Sequence, residues 1–253
     1  KYPLPEIEIM TKKNRKIGLG VMGWGDFLYQ QCIPYDSNEA CKLAETVMKF
    51  INSEAIRASE TLAKRKGPFP NFEESVFKVP RRNAAVTSIA PTGTLSIIAN
   101  TTPGIEPVYG LSYSNTVLDG KKLYEFNAIF LKELMSWKNE KEIIDILQEI
   151  QNNKGSIQNI NGLPTYMKSV FKTAHDISPY WHVRMQAAFQ KYTEQSISKT
   201  INLPNGATKK DVKDAFLLAY KLGCKGITVY RDGSRRNQVF ITEAKNTPAK
   251  CST

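Results

Sequence analysis

Residues 83–99, Asn83-Ala84-Ala85-Val86-Thr87-Ser88-Ile89-Ala90-Pro91-Thr92-Gly93-Thr94-Leu95-Ser96-Ile97-Ile98-Ala99, constrain the chain more than any other stretch. Residues 84–89 are apolar with Thr87 and Ser88 interleaved, the pattern of a strand buried on both faces. Pro91 ends it, because it has no N–H to give to a ladder. Thr92, Gly93 and Thr94 then open an apolar segment, 95–99, that starts a helix. The turn aims backbone N–H groups and small hydroxyls at one point, a ready place for a phosphate or carboxylate. An ordinary Thr-capped βα turn carries the same signature, so the residues alone leave both readings open.

The C-terminal third repeats this logic on a larger scale. Ser178-Pro179 is a helix start with Pro at the first position, and the helix runs through 180–192. Residues 196–203 alternate as a strand does. Thr208 with Asp211 resembles a capping box that opens a helix over 212–222, which Gly223 ends. Residues 226–230 form a second strand, closed by Arg231-Asp232-Gly233-Ser234. Helix, strand, helix, strand implies a parallel α/β arrangement.

Tyr2-Pro3-Leu4-Pro5 reads as extended. Gly18-Leu19-Gly20-Val21-Met22-Gly23 fits G-x-G-x-x-G, but residues 11–16 before it are too polar for the buried strand that a dinucleotide fold needs. The glycines are therefore expected to permit close packing against another element. Residues 36–66 are the clearest helix: Asp36 with Glu39 suggests the cap. Ala40, Leu43, Ala44, Val47, Phe50, Ile51, Ala55, Ala58 and Leu62 make the apolar face. Gly67-Pro68-Phe69-Pro70-Asn71 stops it, and Cys41 is expected to pack. Residues 100–107 form a constrained loop with Pro103, Gly104 and Pro107, and such loops often carry function. Residues 109–117 read as extended and Asp119-Gly120 as a turn. Residues 121–137 and 139–152 read as two helices, with Leu123, Phe126, Ile129, Phe130 and Leu134 as the stripe of one and Ile143, Ile146, Leu147 and Ile150 of the other. They form a peripheral excursion, and 155–173 is irregular.

With 253 residues and 41% hydrophobic content, the chain can bury one sizeable core or two smaller ones. Its net charge of +11 favours an acidic partner such as a nucleotide or nucleic acid. The basic clusters are small: Lys12-Lys13 with Arg15-Lys16, Lys64-Arg65-Lys66, Arg81-Arg82 and Arg235-Arg236. Basic residues are nowhere interleaved with stacking aromatics in a nucleic-acid module, so no specific nucleic-acid partner is expected. Cys32, Cys41, Cys224 and Cys251 form no C-x-x-C pair, and His175 and His182 lack zinc-site spacing with them, which argues against a protein-built metal site. No run approaches a membrane span or a signal peptide, and the chain reads as cytoplasmic. It begins at Lys1 inside a polar–apolar phrase, and is expected to be part of a longer polypeptide.

Several segments together resemble the large chains of ribonucleotide reductases: 14–23, 90–99 and Thr102-Pro103-Gly104-Ile105-Glu106-Pro107. Lys199-Thr200-Ile201-Asn202-Leu203-Pro204 and 223–235 resemble the adenosylcobalamin-dependent class II in particular. The resemblance covers residues 1 to about 240 and implies the C-terminal portion of a ten-stranded α/β barrel with a peripheral helical excursion at about 121–173. A flexible tail would follow at 241–253. It implies reduction of the 2′-hydroxyl of a ribonucleoside di- or triphosphate, with adenosylcobalamin generating a thiyl radical that takes the 3′-hydrogen. The family's thiyl cysteine, its Asn and Glu, and its redox cysteine pair have no match here and are expected upstream of Lys1. No catalytic residue is therefore assigned, Glu106 included. What carries over is substrate-phosphate binding by Pro91, Thr92, Gly93, Thr94 and Leu95, and a cofactor-side position for Tyr230 and Arg231 at a strand end. Expected partners are the nucleotide and the missing N-terminal part, with a homodimer as the assembly. The alternative from a different class is a non-catalytic nucleotide-binding or scaffold module derived from the same family.

Overall fold

Four extended segments of the chain lie side by side and parallel. In the computed structural model, which describes residues 1–116 and 122–234, Leu19 bridges Thr87 and Ile89 bridges Ile197. The backbone bonds Leu19 N to Val86 O at 2.8 Å and Ser198 N to Ile89 O at 2.9 Å hold those neighbours.

The chain builds helix α1 (Pro5–Asn14), α2 (Trp24–Gln30), α3 (Asn38–Lys66) and α4 (Gly93–Ile98), then strands β1 (Ser112–Thr116) and β2 (Lys122–Phe126). Helices α5 (Ala128–Trp137), α6 (Glu140–Asn152), α7 (Thr165–Val170) and α8 (Pro179–Gln190) come next, and then β3 (Thr200–Leu203), α9 (Lys209–Lys221) and β4 (Thr228–Arg231). β3 and β4 pair in parallel, Thr200 with Thr228 through Leu203 with Arg231, and α9 connects them. The α/β alternation read from the C-terminal third is thus present. The Thr208–Asp211 capping box is also present, with α9 starting at Lys209, three residues earlier than expected. Gly223 takes the left-handed conformation (φ 74°) that ends α9.

The central strand expected at 84–89 is not a regular strand. Ala85, Val86, Thr87 and Ile89 are buried as predicted, but pairing is reduced to isolated bridges. Side chains take the place of ladder partners: Val86 N donates to Glu194 Oε2 at 2.7 Å, and Thr87 Oγ1 accepts from Glu194 N at 3.0 Å. The strand expected at 196–203 is likewise shortened to β3, with Ile197 paired separately to Ile89.

The glycine motif does what close packing demands. A Cβ on Gly18 would stand 2.2 Å from Ser88 Oγ, and one on Gly20 2.0 Å from Ser88 O. Only glycine lets 17–20 lie against 85–89. Residues 5–14 before it are helical, so Pro5 opens α1 rather than closing an extended segment. The cap of α3 is Ser37, one residue after the expected Asp36, with Oγ accepting from Ala40 N at 3.0 Å. Asp36 instead binds Lys172 Nζ at 2.5 Å. The buried stripe is Ala40, Cys41, Ala44, Met48, Ser59 and Ala63, rotated from the predicted face, so that Phe50 is 69% exposed.

In the excursion, the first predicted helix is half strand. Residues 122–126 pair with β1 in an antiparallel hairpin, and Asn127 caps α5 by accepting from Ile129 N and Phe130 N at 3.1 Å. That cap stops the helix from extending back into the hairpin. Residues 155–173 also hold α7, which buries Met167 and Val170 one turn apart. Phe130, Leu134, Ile146 and Ile150 pack with these two in a cluster of their own, joined by Tyr29 of α2. The main core sits between α3, α8 and the parallel set, around Trp24, Leu28, Met48, Ile89, Ile105 and Phe189. The Asp119-Gly120 turn, Arg235-Arg236, Cys251 and the predicted tail lie outside the described residues. Among the described residues no helix is long and apolar enough to cross a membrane.

Candidate functional site

Pro91-Thr92-Gly93-Thr94-Leu95 comes after the C-terminal end of the 85–89 segment, and Tyr230 and Arg231 end β4. Because the segments are parallel, both groups lie at the same end of the set, where open α/β sheets bind ligands.

Thr92 is left-handed (φ 49°, ψ 27°) and caps α4 without a side-chain bond to it. Its Oγ1 accepts from Gly104 N at 2.8 Å, while its carbonyl takes the first helical bond, from Ser96 N, at 2.8 Å. The amides of Gly93, Thr94 and Leu95 come before that first bond, so helix geometry leaves them without a partner inside the helix. Around Gly93, a Cβ would meet nothing within 4 Å. Pro91, Gly93, Thr94 and Leu95 are exposed and Thr92 is half-buried. The turn therefore carries, on exposed residues, three consecutive N–H groups with no intrahelical partner and the Thr94 hydroxyl.

Loop 100–107 braces this turn, and two carboxylates brace the loop. Asp26, in the first turn of α2, accepts through Oδ2 from Thr102 N (2.8 Å) and Thr101 Oγ1 (3.0 Å), and through Oδ1 from Asn127 Nδ2 (3.0 Å). Glu106 accepts through Oε1 from Thr200 N at 2.6 Å and through Oε2 from Lys199 Nζ at 2.5 Å. Both oxygens of Glu106 are engaged, one by Thr200 N and one by Lys199 Nζ.

Lys199 is fully buried and has three acceptors for its three protons: Glu106, Thr200 O at 2.5 Å and His182 Nδ1 at 2.9 Å. His182 Nε2 faces Ala174 O at 2.9 Å. A carbonyl only accepts, so Nε2 carries the proton and Nδ1 accepts from the ammonium. Burial pushes Lys199 below the usual lysine value, and the Glu106 carboxylate works against that. Burial, reinforced by the Lys199 charge, holds His182 well below the ordinary imidazole range, so it is neutral. Asp26 and His182 carry no signal in the sequence. Lys199 stands there inside the expected 196–203 strand and opens the 199–204 phrase, His182 is one residue of the 180–192 helix, and only the fold brings 106, 182 and 199 together.

At the other end of the site, Tyr230 is half-buried, and Arg231 donates from Nη1 to Asn205 O at 2.9 Å. Tyr109 and His175 meet edge to face, centroids 5.2 Å apart. Burial raises the Tyr109 phenol, with Asp232 and Tyr230 adding to the shift. Of the cysteines, Cys41 is buried in the core, Cys32 is exposed, and burial pushes the Cys224 thiol up to about 11. Among the described residues no group of His, Cys, Asp or Glu is placed to hold a metal ion.

The sequence matches the family model for the ribonucleotide reductase barrel domain over residues 1–81 and 73–230. It is 44% identical over 248 residues to a vitamin B12-dependent ribonucleoside-diphosphate reductase of Mycobacterium tuberculosis (strain CDC 1551 / Oshkosh), covering 96% of this chain and 35% of that protein. A protein of the same description from Thermoplasma acidophilum is 42% identical, covering 98% of this chain and 32% of its own length. The chain thus spans about a third of the length of these relatives. The class Id ribonucleotide reductase alpha subunit of Actinobacillus ureae superposes with a TM-score of 0.77 at 29% identity, over 92% of this chain and 42% of that one.

Proposed function

The chain belongs to the ribonucleotide reductase barrel family, and from that premise we propose that its 91–95 turn anchors the phosphates of a ribonucleoside di- or triphosphate in an adenosylcobalamin-dependent ribonucleotide reductase. The observation that carries this reading is the N-terminus of α4. Three amides precede the first helical bond, and Gly93 has open space where a side chain would stand. Donors converging on a dianionic group make short, strong, charge-assisted bonds. Thr92, held by Gly104 N, orders these donors before the ligand arrives, so binding loses little entropy in arranging them. Anchored phosphates fix where the ribose lies relative to the reacting groups.

In this reading adenosylcobalamin supplies the radical that starts the reaction. At the β4 end Tyr230 is half-buried, Arg231 is exposed, and the charge of Tyr230 reaches Tyr109, which meets His175 edge to face. Tyr230 and Arg231 would line that side. The thiyl radical and the reducing thiols are assigned to parts of the enzyme outside this chain, since none of Cys32, Cys41 and Cys224 stands in the family's motifs. A cytoplasmic enzyme working as a homodimer completes the proposal.

The test is Thr94→Val in the full-length protein. Losing one hydroxyl donor to a charged group should weaken ribonucleotide binding about tenfold and leave cobalamin binding unchanged. Unchanged nucleotide affinity would sink the phosphate role. Thr92→Val should weaken it further, because the bond from Gly104 N is lost as well.

A further inference from the structure

A short relay ties the phosphate turn to β3. Gly104 N donates to Thr92 Oγ1 at 2.8 Å, two residues before Glu106. Glu106 Oε1 then takes the amide of Thr200, the first residue of β3, and Oε2 takes Lys199 Nζ. The Lys199 ammonium is completely buried, and His182 and the Thr200 carbonyl take its other two protons.

We infer that Lys199 is a positioning residue for the substrate phosphates: its buried ammonium holds Glu106 aimed at Thr200, and through Glu106 sets where the Thr92 turn stands relative to β3 and β4. The inference rests on the phosphate reading above. It follows from the geometry because the fully buried Lys199 ammonium fastens one oxygen of the partly buried Glu106 while Thr200 N takes the other. Without Lys199, Glu106 loses the donor on Oε2 and is free to turn toward water. That turn loosens the side-chain link between loop 100–107 and β3. Lysine suits the position because a point charge with three donors matches three acceptors on different elements. Neutral His182 adds an acceptor without a competing charge.

The experiment uses full-length protein and compares binding of a ribonucleoside diphosphate with that of the same nucleoside without phosphates. Lys199→Met should lower the preference for the diphosphate about tenfold, a loss on the scale of breaking part of a buried pair. Adding Glu106→Gln removes the uncompensated charge while keeping an acceptor for Thr200 N, and should restore the preference to within about threefold of wild type, the coupling expected of residues in one network. A purely structural role would lower stability without changing the ratio. If Lys199→Met alone does not fold, the double variant decides, and a tenfold loss there overturns the inference, as does an unchanged ratio in the folded single variant. Thr94→Val is measured in parallel. If it shifts the ratio and Lys199→Met does not, only this inference fails. If Thr94→Val leaves the ratio unchanged, the phosphate reading fails and takes the inference with it.

Discussion

Arg81 and Glu194 meet in a two-pronged pair, Nη1 to Oε1 at 2.7 Å and Nη2 to Oε2 at 2.8 Å, with Arg81 Nε donating to Asn83 O at 2.8 Å. The Phe77 ring lies 4.5 Å under the guanidinium. Because Glu194 also takes Val86 N, this pair fastens loop 67–83 and the 193–195 turn to the central extended segment. Arg81 is almost fully buried, so Glu194→Gln leaves a buried guanidinium without its counter-charge and should cost about 3 kcal/mol of stability by urea unfolding at pH 7. The pH dependence has a definite sign. Burial by itself would raise the Glu194 carboxyl, but the Arg81 and Val86 hydrogen bonds and the Arg81 and Lys225 charges outweigh it and hold the folded-state value below the ordinary 4.5. A depressed carboxylate contributes stability above its unfolded value that is lost as pH falls through its folded value. The stability gap between wild type and Glu194→Gln should therefore close as pH drops below the ordinary carboxylate range. A gap that widens in acid would contradict this account. Nothing in the sequence pairs Arg81 with Glu194: they are 113 residues apart, and Arg81-Arg82 reads there as a small basic cluster.

At the scale of elements, the glycines separate two roles that a motif search runs together. Gly20→Ala would put a Cβ against the Ser88 carbonyl, which is backbone and cannot step aside. Overpacking of this kind should cost about 1–3 kcal/mol, read as a lower melting temperature, with no bearing on dinucleotides. Gly93→Ala meets no atom at all, so the fold should tolerate it or gain slightly from reduced chain entropy. The added methyl would nevertheless stand where a phosphate approaches, and nucleotide affinity should fall while the melting temperature holds. Elements whose signal is local were legible in the sequence, such as the capping box at Thr208–Asp211, the Gly223 stop and the turn at 91–95. Elements decided by distant partners were not. Residues 122–126 continue the apolar period of residues 128–137, but pairing with β1 and the Asn127 cap made them a strand. The rotated face of α3 has the same cause: the period gives a stripe, while its centre depends on where α8 and 85–89 stand.

For the whole molecule, the parallel set stays open among the described residues. Residues 17–20 form one edge and β4 the other. Beside the open end, α4 carries Leu95, Ile97 and Ile98 at 58%, 73% and 77% exposure, and Ile17 and Leu19 are half exposed as well. α1 buries none of its residues. Contiguous apolar surface and unpaired extended edges promote association. A net charge of +11 opposes it, but only through repulsion that salt screens. The 253-residue chain expressed by itself should therefore form concentration-dependent oligomers, more strongly at about 0.5 M than at about 0.05 M salt. Ile97→Lys with Ile98→Lys, which adds two charges on exposed positions of α4 and disturbs no buried contact, should shift the sedimentation profile toward monomer without lowering the melting temperature. Oligomers indifferent to both salt and these changes would place the association elsewhere, on the 17–20 or β4 edge. In the sequence Ile97 and Ile98 belong to the apolar segment 95–99 that starts a helix after the turn. The six-residue length of α4 leaves them outside, because Ser96 alone of that helix is buried.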